Sequence, residues 1–305
     1  MMLEKIKEVP FIDESRAVKL STVDGKIVME RNDRVVWGYE KTALAAENIE
    51  CYVEADKFFL LLPEIKSLSQ DTCLHVELRN GAKYELAFLP VSWETQEMPT
   101  EYSDSITFKL ADLMLCTLKN LVKPELQCIY IDEEGAVSCD FLSACINKTI
   151  KASSPFLLPA DVQDLVDGRL CKVAVSEDKL FFEANDFGLV TSKPTHTVDV
   201  EGETPWWDGV RGLVDGVANY HSGESLSSSL KRLSVFADYI EFDGNKAVAG
   251  SNFEPFAFVD LSGRQYEIER LGRILSTASK MSEVNSNLVM ANETSLFLLS
   301  PMEEA

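Results

Sequence analysis

The sequence predicts an α+β chain of three similar domains, each assembled from two helix-plus-hairpin halves. Three observations predict it. One plan of strand, amphipathic helix, strand, turn and strand recurs three times; tight-turn pairs punctuate the apolar runs; and 46% of the 305 residues are apolar, ample for packed cores.

The first copy reads ECYVEADKFFLLLPEIKSLSQDTCLHVELRNGAKYELAFLP; it opens on Tyr52 and turns at Asn80-Gly81, a strong hairpin signal. The second, SPFLLPADVQDLVDGRLCKVAVSEDKLFFEANDFGLVTSKP, opens on Phe156 and turns at SEDK. The third, RQYEIERLGRILSTASKMSEVNSNLVMANETSLFLLSPM, opens on Tyr266 and turns at ANET. Its helix is the clearest: in EIERLGRILSTASKM, Ile268, Leu271, Ile274, Leu275 and Ala278 recur at three- and four-residue steps. Each copy closes near a proline, at Pro90, Pro194 and Pro301. Tyr52 and Pro90 lie as far apart as Phe156 and Pro194, and Tyr266 to Pro301 is slightly shorter.

A related half precedes each copy. Before the first is a short helix and a hairpin turning at Asp24-Gly25; before the second, a strand, a helix and a hairpin turning in IYIDEEGAVSCDF, at Asp132, Glu133, Glu134 and Gly135; before the third, a helix and a hairpin turning at Asp243-Gly244. The polar stretches TQEMPTEYSDS and GVANYHSGES then place domain boundaries at 1–103, 104–220 and 221–305.

No apolar run approaches a membrane span, and MMLEKIKEVPFIDES, with Glu4 and Glu8, is no signal peptide, so a cytoplasmic location is expected. The seven cysteines are scattered, without a Cys-x-x-Cys pair, and read as small buried hydrophobes in a reducing compartment. A net charge of −21 argues against a generally sticky surface for DNA, although cations gathered on one concave face can reverse the local potential.

Catalytic constellations are missing. His75, His196 and His221 lie far apart, none in a metal-ligand spacing or beside a nucleophile; His75 in CLHVEL reads as a solvent-facing strand residue. No Walker loop or G-x-G-x-x-G follows a strand, and Gly209 and Gly212 lack the third glycine. No enzymatic activity, cofactor or metal is expected.

In YVEADKFFLLLPEI, in FGLVTSKP followed by ETPWWDGVRGLV, and in the C-terminal FLLSPM, the chain resembles the DNA polymerase sliding clamps, the bacterial DNA polymerase III beta subunit family. The shortened N-terminal helix and compact third domain resemble those expected of a divergent, phage-encoded member. The resemblance implies a three-domain sliding-clamp fold. Two crescents, a homodimer, would close head to tail into a ring that encircles duplex DNA without reading its sequence, helices lining the hole. It implies as partners a DNA polymerase, a clamp loader and other DNA-processing proteins that dock through short peptides.

On that resemblance the DNA-facing helices carry Lys5 and Lys7, Lys57 and Lys66, Lys119 and Lys123, Arg169, Lys231 and Arg232, and Arg270, Arg273 and Lys280. Weak, sequence-independent phosphate contacts are what a sliding surface requires. The partner-peptide pocket maps to Cys139, Phe141, Leu142 and Ala144, to Pro205 and Val210, and to Leu298, Leu299, Ser300, Pro301 and Met302. Ser143 and Gly209 stand where the family pocket carries basic residues. Trp206 and Trp207 fit either packing or a hot-spot surface. FLLSP closes the third copy, and its end is expected to leave an uncovered rim for a peptide. The rival reading is a non-catalytic phage structural or adaptor protein, or a clamp mimic, on the same plan.

Overall fold

The computed structural model describes residues 2–6, 13–118, 124–194, 204–215, 217, 220–243, 246–255, 263–284 and 287–302. In chain order, 3-10 turns at Leu3–Lys5 and Asp13–Arg16 lead into a meander of β1 (Ala17–Val23), β2 (Lys26–Asn32), β3 (Val36–Ala45) and β4 (Glu50–Glu54). Its first turn is the expected Asp24-Gly25 pair, both at positive φ (50° and 73°), as a two-residue type I′ hairpin requires. Helix α1 (Ala55–Leu61) follows and tightens into a 3-10 turn at Leu62–Glu64, because Pro63 cannot continue the α-helical ladder.

Strands β5 (Ile65–Gln70), β6 (Leu74–Leu78) and β7 (Lys83–Leu86) complete the first copy, with Asn80-Gly81 in the β6–β7 turn, and β8 (Asp104–Thr107) follows. Next come α2 (Ala111–Met114), a 3-10 turn at Pro124–Gln127, β9 (Ile129–Ile131), β10 (Ala136–Cys139) and β11 (Ser143–Asn147). The second copy is β12 (Phe156–Leu158), α3 (Ala160–Val166), β13 (Leu170–Val175), β14 (Lys179–Glu183) and β15 (Phe187–Ser192).

Helix α4 (Trp206–Val214), β16 (His221–Ser222), α5 (Glu224–Leu233), β17 (Tyr239–Asp243), β18 (Lys246–Ala249) and β19 (Asn252–Pro255) lead into the third copy. That copy is β20 (Arg264–Glu267), α6 (Ile268–Leu275), β21 (Lys280–Val284), β22 (Asn287–Ala291) and β23 (Ser295–Leu299). The SEDK and ANET hairpins form as expected; His196 and Gly244 lie outside the described residues.

The chain divides into two compact units, and these cut across the sequence repeats. The first, residues 1–108 and 160–193, holds an antiparallel sheet ordered β4-β1-β2-β3-β15-β14-β13-β8 and a smaller one, β5-β6-β7. Its seam is β3 on β15, where Val36 faces Thr191 and Glu40 faces Phe187. Buried Arg31 donates to the carbonyls of Leu3 (3.0 Å), Ile6 and Ser15 (2.6 Å), pinning both N-terminal turns to β2. The second unit, residues 109–159 and 194–305, holds β12-β9-β10-β11-β23-β22-β21-β16 and β19-β18-β17-β20. Its seam is β11 on β23, with Ser143 facing Leu299 and Asn147 facing Ser295. Each large sheet thus joins a hairpin from one repeat to the closing hairpin of the next. No helix among the described residues is long and apolar enough to cross a membrane.

Candidate functional site

In the first unit, Lys5 is exposed and donates to the Asp164 carbonyl (2.7 Å), and Lys57 on α1 pairs with Glu54 at 2.7 Å. Arg169 lies past the end of α3, its guanidinium 4.9 Å from the Phe187 ring centre. Lys66 is not on a helix: Pro63 has ended α1, and Lys66 stands on β5, paired with Glu77 at 2.6 Å.

In the second unit, Lys231 and Arg232 end α5; Arg232 forks onto Glu254 (2.6 and 2.9 Å). Arg273 is on α6, but Lys280 begins β21. The helix stops at Leu275 because the hydroxyls that follow bond back to it, Ser276 Oγ to the Arg273 carbonyl (2.6 Å) and Thr277 Oγ1 to that of Ile274 (3.0 Å). Arg270 turns inward: it donates to Asp140, to Ser143 Oγ (3.0 Å) and to Glu267 (3.2 Å), so its charge is neutralised within the unit. Lys7, Lys119 and Lys123 lie outside the described residues.

Lys231, Arg273 and Lys280 make no ion pair among the described residues. The first two line a cleft of ≈790 Å³ between α5 and α6, together with Ser227, Ser234, Asp238 and Glu269. The Nε of Arg273 is buried there without a hydrogen-bond partner among the described residues.

The predicted peptide pocket gathers around α4, also in the second unit. Helix α4 lays Val210 onto the sheet, where Val137, Ala144, Ile146, Val289 and Leu298 form one buried cluster, with Cys139, Trp206, Trp207, Val214 and Leu296 packed around it. Cys139, Ala144, Val210 and Leu298 therefore do converge. Ala144, Val210, Leu298 and Leu299 are core rather than surface, each less than 7% exposed. Leu299 is paired with Ser143, one step on from Leu298 and Ala144, so strand alternation turns it to the other face of the sheet. Cys139, Leu142, Pro205, Ser300, Pro301 and Met302 are half-buried, and Phe141 is 57% exposed at the β10–β11 tip.

The backbone of the expected rim is tied to its neighbours. Ser300 N–H donates to the Leu142 carbonyl and Met302 N–H to that of Gln265, both at 2.9 Å. The β10–β11 tip is held from beneath by Asp140, whose carboxylate accepts from the Leu142 (2.9 Å) and Ser143 (2.6 Å) N–H groups and from Arg270. Arg270, expected on the DNA face, thus braces this loop instead.

Of the two roles left open by the sequence, the tryptophans show packing. Trp207 stacks on Tyr130 (centroids 4.0 Å, 11° between planes), and Trp206 meets Trp207 edge-on at 5.5 Å; both are half-buried. Arg211, on the same helix, was not singled out by the sequence. It donates to both Asp132 oxygens (2.8 and 2.7 Å) and so ties α4 to the β9–β10 turn. Burial works to raise the Asp132 carboxyl, but Arg211 and the N–H groups of Glu134 and Gly135 outweigh it and hold the group below its ordinary value. The one legible signal for this role was Arg211 lying four residues after Trp207.

The cysteines are free, and five of the seven are buried. Burial, with the Asp140 charge adding, pushes the Cys139 thiol up to about 12, so it is a poor nucleophile despite lying at the pocket.

No protein-family model matches the sequence, and no curated protein does. By structure the chain is similar to bacterial DNA polymerase III beta subunits. That of Thermotoga maritima aligns with a TM-score of 0.76 at 13% identity, covering 100% of this chain and 96% of that one. That of Pseudomonas aeruginosa gives 0.73 at 15%, covering 99% and 97%. The Helicobacter pylori beta clamp, solved bound to a DNA ligase peptide, gives 0.74 at 13%, covering 99% and 96%. The α+β fold expected from the repeats is the fold of these proteins, along the entire chain.

Proposed function

We propose that this chain, which has the sliding-clamp fold throughout its length, is a DNA polymerase processivity factor. The observation that carries the reading is the full-length likeness, 99–100% of this chain against 96–97% of the beta subunits. In this reading the three repeats are the clamp domains 1–103, 104–220 and 221–305, and two copies close head to tail around duplex DNA. Two exposed apolar sets support closure: Tyr84 on the edge strand β7, 45% exposed, and Val235 and Phe236 after α5, 78% and 61% exposed. Contacts of this kind bury apolar area that a monomer leaves wet.

The cations on and beside the helices contact phosphates without reading bases, and the net charge of −21 keeps DNA off the rest of the surface. Nothing is made or broken chemically. A ring that cannot leave without opening holds a bound polymerase at an effective concentration on the order of millimolar, so a modest contact becomes saturated. The polymerase, a clamp loader and other DNA-processing proteins dock by short peptides at the rim formed by Phe141, Leu142, Pro205, Pro301 and Met302; the Helicobacter pylori beta clamp, solved bound to a DNA ligase peptide, supports peptide docking.

The test is retention on DNA. The protein, placed on a nicked circle, should stay through gel filtration and slide off once the circle is cut. Equal retention on circular and linear DNA would overturn the reading.

A further inference from the structure

The β5–β6 hairpin of the first unit carries a feature that clamping does not use. Along β6, Leu74, Val76 and Leu78 point into the core, so the alternation that buries them presents His75 on the outer face, with Cys73 and Asp71 two and four residues before it. Read along the chain these residues show no metal spacing. Folded, one donor atom from each lies within 4.8 Å of the others. His75 Nε2 stands 3.6 Å from Cys73 Sγ and 2.9 Å from an Asp71 carboxylate oxygen. On the other side of the ring, His75 Nδ1 faces Glu85 at 3.6 Å, its cross-strand partner on β7.

We propose that Asp71, Cys73 and His75 form a three-ligand site for a thiophilic divalent transition metal of the Zn²⁺ class. The donor set selects the class: a thiolate, an imidazole and one carboxylate suit zinc and its analogues, whereas magnesium and calcium require oxygen ligands. An ion with sulfur at about 2.3 Å and nitrogen at about 2.0 Å in tetrahedral arrangement sets the two ligand atoms about 3.5 Å apart; Cys73 Sγ stands 3.6 Å from Nε2 and 3.9 Å from Nδ1, over the ring, so ligation turns the thiol outward toward the Nε2 lone pair.

Glu85 stands 3.6 Å from Nδ1, and a small rotation brings it within reach of the Nδ1 proton, the partnership that fixes Nε2 as the ligating nitrogen in histidine metal sites. The turn alone does not account for the arrangement. Asp71 caps it through the N–H groups of Thr72 and Cys73, and that cap needs neither a thiol nor an imidazole beside it. Three protein ligands leave the fourth position to water or to an incoming group. A cleft of ≈590 Å³, lined by Ser67, Ser69, Glu77, Lys83 and Tyr84, gives access from the His75 side.

The test is titration of the full chain with Co²⁺ under reducing conditions, which needs no DNA and so stands or falls apart from the clamp reading. Expected are one equivalent bound, a thiolate-to-cobalt charge-transfer band in the near ultraviolet, the strong visible bands of a tetrahedral ion, and displacement by Zn²⁺ but not Mg²⁺. Cys73→Ser should abolish the charge-transfer band. Glu85→Gln should keep the band while weakening Zn²⁺ about tenfold. Both variants should retain the wild-type circular dichroism, since each alters a surface side chain. Absence of the band in the wild type, or Zn²⁺ affinity unchanged in Cys73→Ser and His75→Gln alike, would overturn the proposal.

Discussion

Asp132 shows how one side chain sets both packing and pH response. Its carboxylate holds Arg211, which holds α4 over the sheet, and the side chains are only 11% and 16% exposed. Its folded pKa is depressed, so the stability it contributes is present above the unfolded value, about 3.9, and is lost as pH falls through the folded one. Asp132→Asn should destabilise the second unit by about 2 kcal/mol at pH 7. In denaturant melts the gap from wild type should close as the pH drops below the carboxylate range.

Leu298 teaches a different lesson: the family resemblance placed it with Ala144 and Val210 as pocket lining, whereas together they form a sealed cluster. A charge at Leu298 therefore probes folding, at a cost of several kcal/mol. Phe141→Ala is the informative change for docking. It should weaken a bound partner peptide about tenfold or more, read by fluorescence anisotropy, with the melting curve unchanged.

At the scale of elements, hairpins and amphipathic helices were legible because their signals are local. Asp24-Gly25 supplies positive φ in place, and the three- and four-residue steps from Ile268 to Leu275 give one buried face. Helix ends were less legible. Lys66 and Lys280 fall on strands because a proline and a run of hydroxyl residues, respectively, stop the helix short of them. Gly135 is another local determinant: at φ 150°, an added Cβ would fall 2.5 Å from the Asn147 carbonyl, so the β9–β10 turn admits only glycine.

Helices α5 and α6 carry Lys231 and Arg273, which make no ion pair among the described residues, and these carry the prediction for DNA. Lys231→Gln with Arg273→Gln should flatten the slope of log affinity against log salt for a short duplex by about 1.8, the release of two phosphate contacts. The circular dichroism spectrum should not change.

At the scale of the whole molecule, closure into a ring is a property of surfaces rather than cores. Val235→Asp with Phe236→Asp should yield a folded monomer by light scattering, because both side chains are already solvated in one copy. The same variant should lose retention on nicked circles. A variant that stayed dimeric would move the interface elsewhere.

The sequence by itself determined the repeated plan, the hairpin turns and the apolar faces of the helices. Each of these rests on residues close in sequence, or on the likeness of one repeat to another. Only the tertiary structure decided that β3 pairs with β15 and β11 with β23, that Arg270 braces Asp140 instead of facing outward, and that Asp71, Cys73 and His75 share one face with Glu85 opposite. The physical reason is common to all three. Pairing between distant strands, and the partner a long charged side chain finds, depend on which surfaces the chain brings together, and no local periodicity encodes that.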